Sequence, residues 1–267
     1  MSMESILVTV SPDRLRELQD LPVTPVHMAY RMGRGPHLFR VSGSSAPRGG
    51  LMFLDCRGFD GFGPTPPFCQ EVLRECMARG FTGVVCDFES GRIPPLEQVV
   101  QELGNQCFRR SWAFLVPEQY GHCSPHAQVC ISSALSGGTL VQRLREAQER
   151  FGRDRVVLVL QRVAEDFFLP SPTGSGTPLT QEELRERIQQ RQPSIFFSHE
   201  LCARYFTYMS RESGAHFVLY DDASTLAKKL QVARSLDIRT VLAAWPEIAD
   251  VTEDLGLRRA ASGRVLR

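Results

Sequence analysis

The chain has 267 residues, of which 42% are hydrophobic and 23% charged, proportions of an ordinary globular protein with room for one large domain. Its 31 basic and 30 acidic side chains leave a net charge of +1, which gives no electrostatic reason to expect nucleic acid or an anionic membrane as partner. No stretch approaches the ~20 apolar residues of a membrane span. The opening MSMESILVTV lacks the basic start of a signal peptide, and eight cysteines without framework spacing fit reduced thiols in a cytoplasmic protein.

In chain order, residues 1–47 offer ILVTV, VHMAYRM and HLFRVSG as short strands separated by Pro and Gly. From LMFLD (51–55) an apolar strand alternates with a capped amphipathic helix. Helix PPFCQEVLRECMARG opens on prolines and closes on Gly80. Strand TGVVCDFE, helix PPLEQVVQELGNQ, strand WAFLVPE (112–118) and strand QVCISSALS (128–136) follow. Helix GGTLVQRLREAQERFG then leads to strand RVVLVLQRV (155–163). Such alternation predicts a parallel α/β sheet or barrel. The rhythm breaks at 166–213, which reads as an α-rich insertion: a Pro/Gly/Ser loop, a helix TQEELRERIQQR capped by Thr180 and Glu183, and a second helix SHELCARYFTYMSRES. Strand AHFVLY (215–220), helix ASTLAKKLQVARSLD and strand TVLAAW (240–245) resume it. One domain over 1–253 and a basic tail over 254–267 are expected.

The stretch FTGVVCDFES carries the first chemistry. Side chains alternate along a strand, so Val85, Asp87 and Glu89 share one face and Val84, Cys86 and Phe88 the other. Two acids at the C-terminal end of one strand face suit an active site, and equally a strand that runs out into solvent.

Three stretches together resemble the family-18 glycoside hydrolases, the chitinase-like (β/α)8 barrels. TGVVCDFE is similar to the fourth-strand motif DxxDxDxE, with Glu89 at the catalytic acid and Asp87 at the assisting aspartate; Phe88, Thr82 and Val85 depart from it. In FVLYDDASTLAKKLQVARSLDIRTVLAAWPEIAD, residues Tyr220, Asp221, Asp222, Ser224, Lys228, Ala233, Val241, Trp245 and Asp250 match the family's closing segment. LREAQERFGRDRVVLVLQR resembles the helix and seventh strand before it. The resemblance implies a (β/α)8 TIM-type barrel over about residues 50–250, irregular at its N-terminal strands. It implies a carbohydrate partner, Glu89 as proton donor to a glycosidic oxygen, Asp87 as stabiliser of the charged intermediate, Trp245 as floor of a sugar subsite, and no metal or organic cofactor. The family's sixth strand carries Met-x-Tyr-Asp, whereas VCISSALSGG has neither Tyr nor Asp. A catalytically silent barrel that binds a glycan or a protein partner is therefore the alternative.

Other residues read two ways. Trp245, before Pro246 at a strand end, is a sugar platform or a core ring. Gln161 and Arg162 close an apolar strand as substrate contacts or as a surface pair, and Glu118 in VPEQYG is similar. Cys123, His126 and Cys130 are of metal-ligand type, but no second pair completes a tetrahedral set. SALSGGTL is a tight turn or, for a barrel acting on a phosphorylated metabolite, an anion cradle.

Overall fold

A computed structural model describes residues 5–41, 47–88, 91–170, 174–211 and 214–258. Strand β1 (Ser5–Val10) pairs in parallel with β2 (Thr24–Gly33), which turns back through an antiparallel hairpin to β3 (His37–Arg40). Parallel strands β4 (Leu51–Asp55), β5 (Gly83–Asp87), β6 (Ala113–Pro117), β7 (Gln128–Ser132) and β8 (Val156–Leu160) continue the sheet beyond β2. An excursion of five strands follows: β9 (Ala164–Leu169), β10 (Thr177–Pro178), β11 (Phe196–Ser198), β12 (Ala203–Ser210) and β13 (Gly214–Tyr220). Strand β14 (Thr240–Ala244) then pairs with both β8 and β1. The ring of eight parallel strands is thereby closed, a TIM-type barrel in which β5 is the fourth strand, β8 the seventh and β14 the eighth.

Helices α1 (Thr65–Arg79), α2 (Pro94–Arg109), α3 (Leu140–Phe151) and α5 (Ala223–Ser235) pack outside the barrel, α4 (Gln181–Arg191) belongs to the excursion, and the single turn α6 (Trp245–Ile248) follows the eighth strand. Both α1 and α2 start on Pro pairs, where the missing N–H groups have no helical acceptor to lose. Phe68, Cys69, Val72, Leu73 and Cys76 recur at helical spacing and are buried against the strands, each large one contributing roughly 2 kcal/mol of burial. Short 3-10 turns take the place of helices after β1 and β6. The N-terminal irregularity expected from the sequence is this turn, the β2–β3 hairpin, and a register shift in β2 between His27 and Tyr30. No helix among the described residues is long and apolar enough to cross a membrane.

Inside the barrel Leu7, Val26, Leu51, Phe53, Val85, Leu115, Val157 and Leu242 form one cluster, so the lumen is filled below its C-terminal mouth. This cluster fixes which strand residues point inward, and by alternation which ones stand at the mouth.

The excursion corrects one expectation. Residues 166–213 are not α-rich: the five strands form an antiparallel sheet in the order β10-β9-β13-β12-β11, with α4 against one face. The segment read as a second helix contains β12, and AHFVLY lies in β13 of this sheet and not in the barrel. The cap of α4 is as expected, with Thr180 Oγ1 accepting from the Glu183 amide and Glu183 returning the contact. The packed chain also runs past 253, because Leu255 and Leu257 are buried in the outer core.

Candidate functional site

On β5 Val85 lies in the lumen cluster, so Asp87 stands on the same inward face two residues nearer the mouth. Its lateral partner on β4 is Asp55, and the lateral partner of Asp55 on β2 is Arg31. Arg31, Asp55 and Asp87 thus form one row across three adjacent strands. Asp55 is buried, and Arg57 holds it by donating from the backbone N–H at 2.6 Å and from Nε at 2.5 Å. Asp87 is half-buried. Across the mouth, burial first and then the charge of Asp87 push the Cys130 thiol of β7 up to about 12. Glu89 and Ser90 lie outside the described residues.

The far wall of the mouth comes from β7 and β8. Val157 and Val159 face the lumen, which puts Gln161 on the same side beyond the strand end. Its Oε1 accepts from Ser132 Oγ at 3.0 Å. Gln161 is exposed, and beside it a cleft of about 430 Å³ opens between Glu165, Thr180 and Gln181 of the excursion and Pro246 and Glu247 of α6. Behind this wall lies a buried clamp. Lys229 Nζ is 2.5 Å from Asp221 Oδ2, and both side chains are fully buried. Asp221 also accepts from the Val163 amide at 2.8 Å and the Thr225 hydroxyl at 2.7 Å. The clamp pins the chain just after Gln161 to α5.

Three residues expected at the site make their polar contacts elsewhere, although Arg162 also lines the cleft beside Gln161. Trp245 is 4% exposed and packs in the outer core with Val241 and Ala243, while Leu242 takes the lumen face. Its indole N–H donates to Glu17 Oε2 at 2.6 Å. Arg14 first, and then this indole, hold the Glu17 carboxyl down at about 2. The ring is a core ring and offers no face to the mouth. Arg162 turns to α6, donating from Nε to the Glu247 carbonyl at 2.6 Å and from Nη2 to Asp250 at 2.5 Å. Glu118 pairs with Arg143 and Arg150 of α3. All three lie just past a strand end, at positions of opposite parity to the lumen-facing residues of that strand.

The metal-type trio is likewise dispersed: Cys130 borders the lumen, whereas the His126 ring stacks on Phe108 at 3.9 Å. Among the described residues no group of three or more His, Cys, Asp or Glu is placed to hold a metal ion. In the SGGT turn, Thr139 caps α3 by accepting from the Gln142 amide at 3.1 Å, and Arg143 is engaged with Glu118.

The excursion adds what the sequence reading missed. Phe167, Phe217, Tyr205 and Phe196 form a row across one face of its sheet, with centroid separations of 6.0, 5.3 and 5.5 Å. The buried end of the row shares a cluster with Ala134 and Val163, at the ends of β7 and β8, and Phe196 at the other end is 51% exposed. The signal was present as a period of two in ARYFTYMS, where Tyr205 and Thr207 alternate with Phe206 and Tyr208.

The closed parallel barrel has solved counterparts. The chain has the fold of the family-18 glycoside hydrolases. It superposes on a chitinase from Chromobacterium violaceum ATCC 12472 with a TM-score of 0.67 over 96% of this chain and 100% of that one, at 14% identity. It matches a glycoside hydrolase family 18 N-acetylglucosaminidase from Paenibacillus barengoltzii with a TM-score of 0.62, covering 94% and 97% of the two chains at 13% identity. The spore cortex-lytic enzyme SleL of Bacillus megaterium QM B1551 gives 0.62 over 94% of this chain and 73% of that chain, at 11% identity. No family model matches the chain, and no curated protein matches it.

Proposed function

We propose that the chain is carbohydrate-active, a glycoside hydrolase acting at the C-terminal mouth of the barrel on a glycan built from N-acetylated sugars. What carries the reading is the inward position of the half-buried Asp87 at the end of the fourth barrel strand, beside the buried Asp55. In this reading Glu89 protonates the leaving glycosidic oxygen while the acetamido oxygen of the substrate attacks the anomeric carbon. Asp87 stabilises the cationic ring so formed, and Glu89 then takes a proton from the water that opens it. Gln161 contacts sugar hydroxyls, and the aromatic row from Phe217 to Phe196 takes the role of the ring platform in place of Trp245. The solved counterparts are named for chitin, for N-acetylglucosaminides and for the spore cortex, and these polymers set the substrates to try.

A second reading has a specific observation behind it. The inward face of the sixth strand carries Cys130 and Ser132, neither of which is a carboxylate or phenol able to hold an acetamido group. A barrel that grips a glycan without cleaving it accounts for that. Hydrolysis of aryl N-acetylglucosaminides and of chitin oligomers separates the two. Turnover that vanishes in Glu89→Gln establishes the enzyme, and binding without turnover establishes the silent barrel.

A further inference from the structure

Arg31 on β2 has no hydrogen-bond or ion-pair partner among the described residues and is exposed. The lattice of strand pairings nonetheless fixes where it stands. Its neighbour on one side is Asp55, whose inward face continues that of Leu51 and Phe53, and its neighbour on the other side is Phe39 of the hairpin. Tyr30 and Met32, of opposite parity, are buried in the outer core beneath the helices. Arg31 therefore projects on the mouth side of the barrel wall.

Two further features shape the ground around it. The Phe39 ring, 46% exposed, lies against Gly33, where a Cβ would come within 2.3 Å of Phe39 Cε2. The bare glycine lets the ring of Phe39, the direct cross-strand partner of Arg31, lean along β2 on the same side as Arg31. On the lumen side the nearest carboxylate, Asp55, is already held by Arg57 through its backbone N–H and its guanidinium. Asp55 therefore does not neutralise Arg31. A guanidinium with no partner among the described residues, next to an exposed ring at the edge of the barrel mouth, is arranged for a ligand that is both a sugar and an anion.

We propose that Arg31 and Phe39 form a subsite for a carboxylate-bearing sugar, so that the glycan taken by this barrel is acidic. The proposal rests on the carbohydrate reading above and names its substrate class. A carboxylate matches the planar fork of a single guanidinium with two parallel N–H···O contacts. A dianion such as a sugar phosphate needs more donors than this wall has, and it would stand close to the Asp55–Asp87 row. Phe39 stacks on the apolar face of the pyranose ring that carries the acid. The carboxylate has two chemical sources, a uronic acid or a lactyl ether on an N-acetylhexosamine, and the subsite chemistry is common to both.

Isothermal titration of the full chain with three oligosaccharides of equal length tests this. One contains N-acetylglucosamine alone, one carries lactyl ethers on alternate residues, and one alternates N-acetylglucosamine with glucuronic acid. At least one acidic oligomer binds on the order of tenfold more tightly than the neutral one, and the preferred arm identifies the source of the carboxylate. The advantage shrinks at about 0.5 M salt. Arg31→Ala and Arg31→Gln both remove the preference, weakening the acidic oligomer far more than the neutral one, and Arg31→Lys keeps part of it. Equal or tighter binding of the neutral oligomer overturns the proposal and leaves the carbohydrate reading standing. So does an equal loss for all three ligands in both neutral variants. Failure of every oligomer to bind overturns the proposal together with that reading.

Discussion

Replacing Lys229 by methionine probes the clamp behind the mouth. In the wild type its Nζ lies 2.5 Å from Asp221 Oδ2, both groups are fully buried, and the only other acceptor of Nζ among the described residues is the Gln161 carbonyl at 3.5 Å. Methionine keeps the aliphatic stem, so little packing is lost and the change isolates the charge. Asp221 then keeps two donors, the Val163 amide and the Thr225 hydroxyl, but no cation. Leaving one member of a buried pair uncompensated costs about 3–5 kcal/mol. For a chain of this size that corresponds to a fall of about 6–20 °C in melting temperature. The double variant Asp221→Asn/Lys229→Met removes both charges and is expected to lose less than the single one, since a neutral pair carries no stranded ion. Urea unfolding followed by circular dichroism gives both numbers from the midpoint at constant slope. A Lys229→Met protein within about 1 kcal/mol of wild type refutes the argument. A double variant that loses the sum of the two single ones does so too, because the charges would then not be coupled.

Two other outcomes follow from close contacts and burial. Gly104 sits in α2 where a Cβ would be 2.2 Å from Ser124 Oγ; Gly104→Ala gains roughly 1 kcal/mol of helix propensity and loses about 1–3 by overpacking, so the urea midpoint falls, and a rise would rule out the close approach. His27 is buried with Nε2 2.9 Å from the Gly49 carbonyl, and burial lowers its pKa below 6.5. Below that value the unfolded chain binds a proton that the folded one resists, so the stability is complete above about pH 7 and is lost as the pH falls through 6.5 toward the lower folded value. His216, lowered by burial and then by Arg187, adds to the same trend. Urea midpoints between about pH 7.5 and 5.5 should therefore decline less steeply in His27→Gln, and an unchanged slope contradicts the assignment.

The middle strands of the barrel were legible because they are apolar runs ended by Gly, Pro or a polar residue, and β4, β5 and β7 lead into the amphipathic helices α1, α2 and α3; in a parallel barrel both strand faces are buried. That same rule misled at AHFVLY. The central strand of the excursion sheet is also covered on both faces, by α4 on one side and by the aromatic layer next to the barrel mouth on the other, so its composition is that of a barrel strand. ARYFTYMS failed for a different reason. Its apolar residues satisfy a period of 3.6 about as well as one of two, and the choice is made by pairing with β13, which no local pattern encodes.

At the site the decisive variable is parity, which a sequence fixes within a strand but not between strands. Counting by twos from Val85 gives the inward side of Asp87 directly. For Trp245 the question was which parity of β14 faces in, and only packing answers it: Leu242 enters the lumen, so the even positions face in and Trp245 faces out. A slip of one residue reverses every side chain of a strand. The same limit hid Asp55 and Arg31. Each ends or nearly ends an unremarkable apolar strand, and neither has meaning until the registers of β2, β4 and β5 align them beside Asp87. A site at a barrel mouth is thus written as one residue per strand, at intervals set by strand and helix lengths. The chemistry of each residue is legible alone, but their association is a property of the closed sheet.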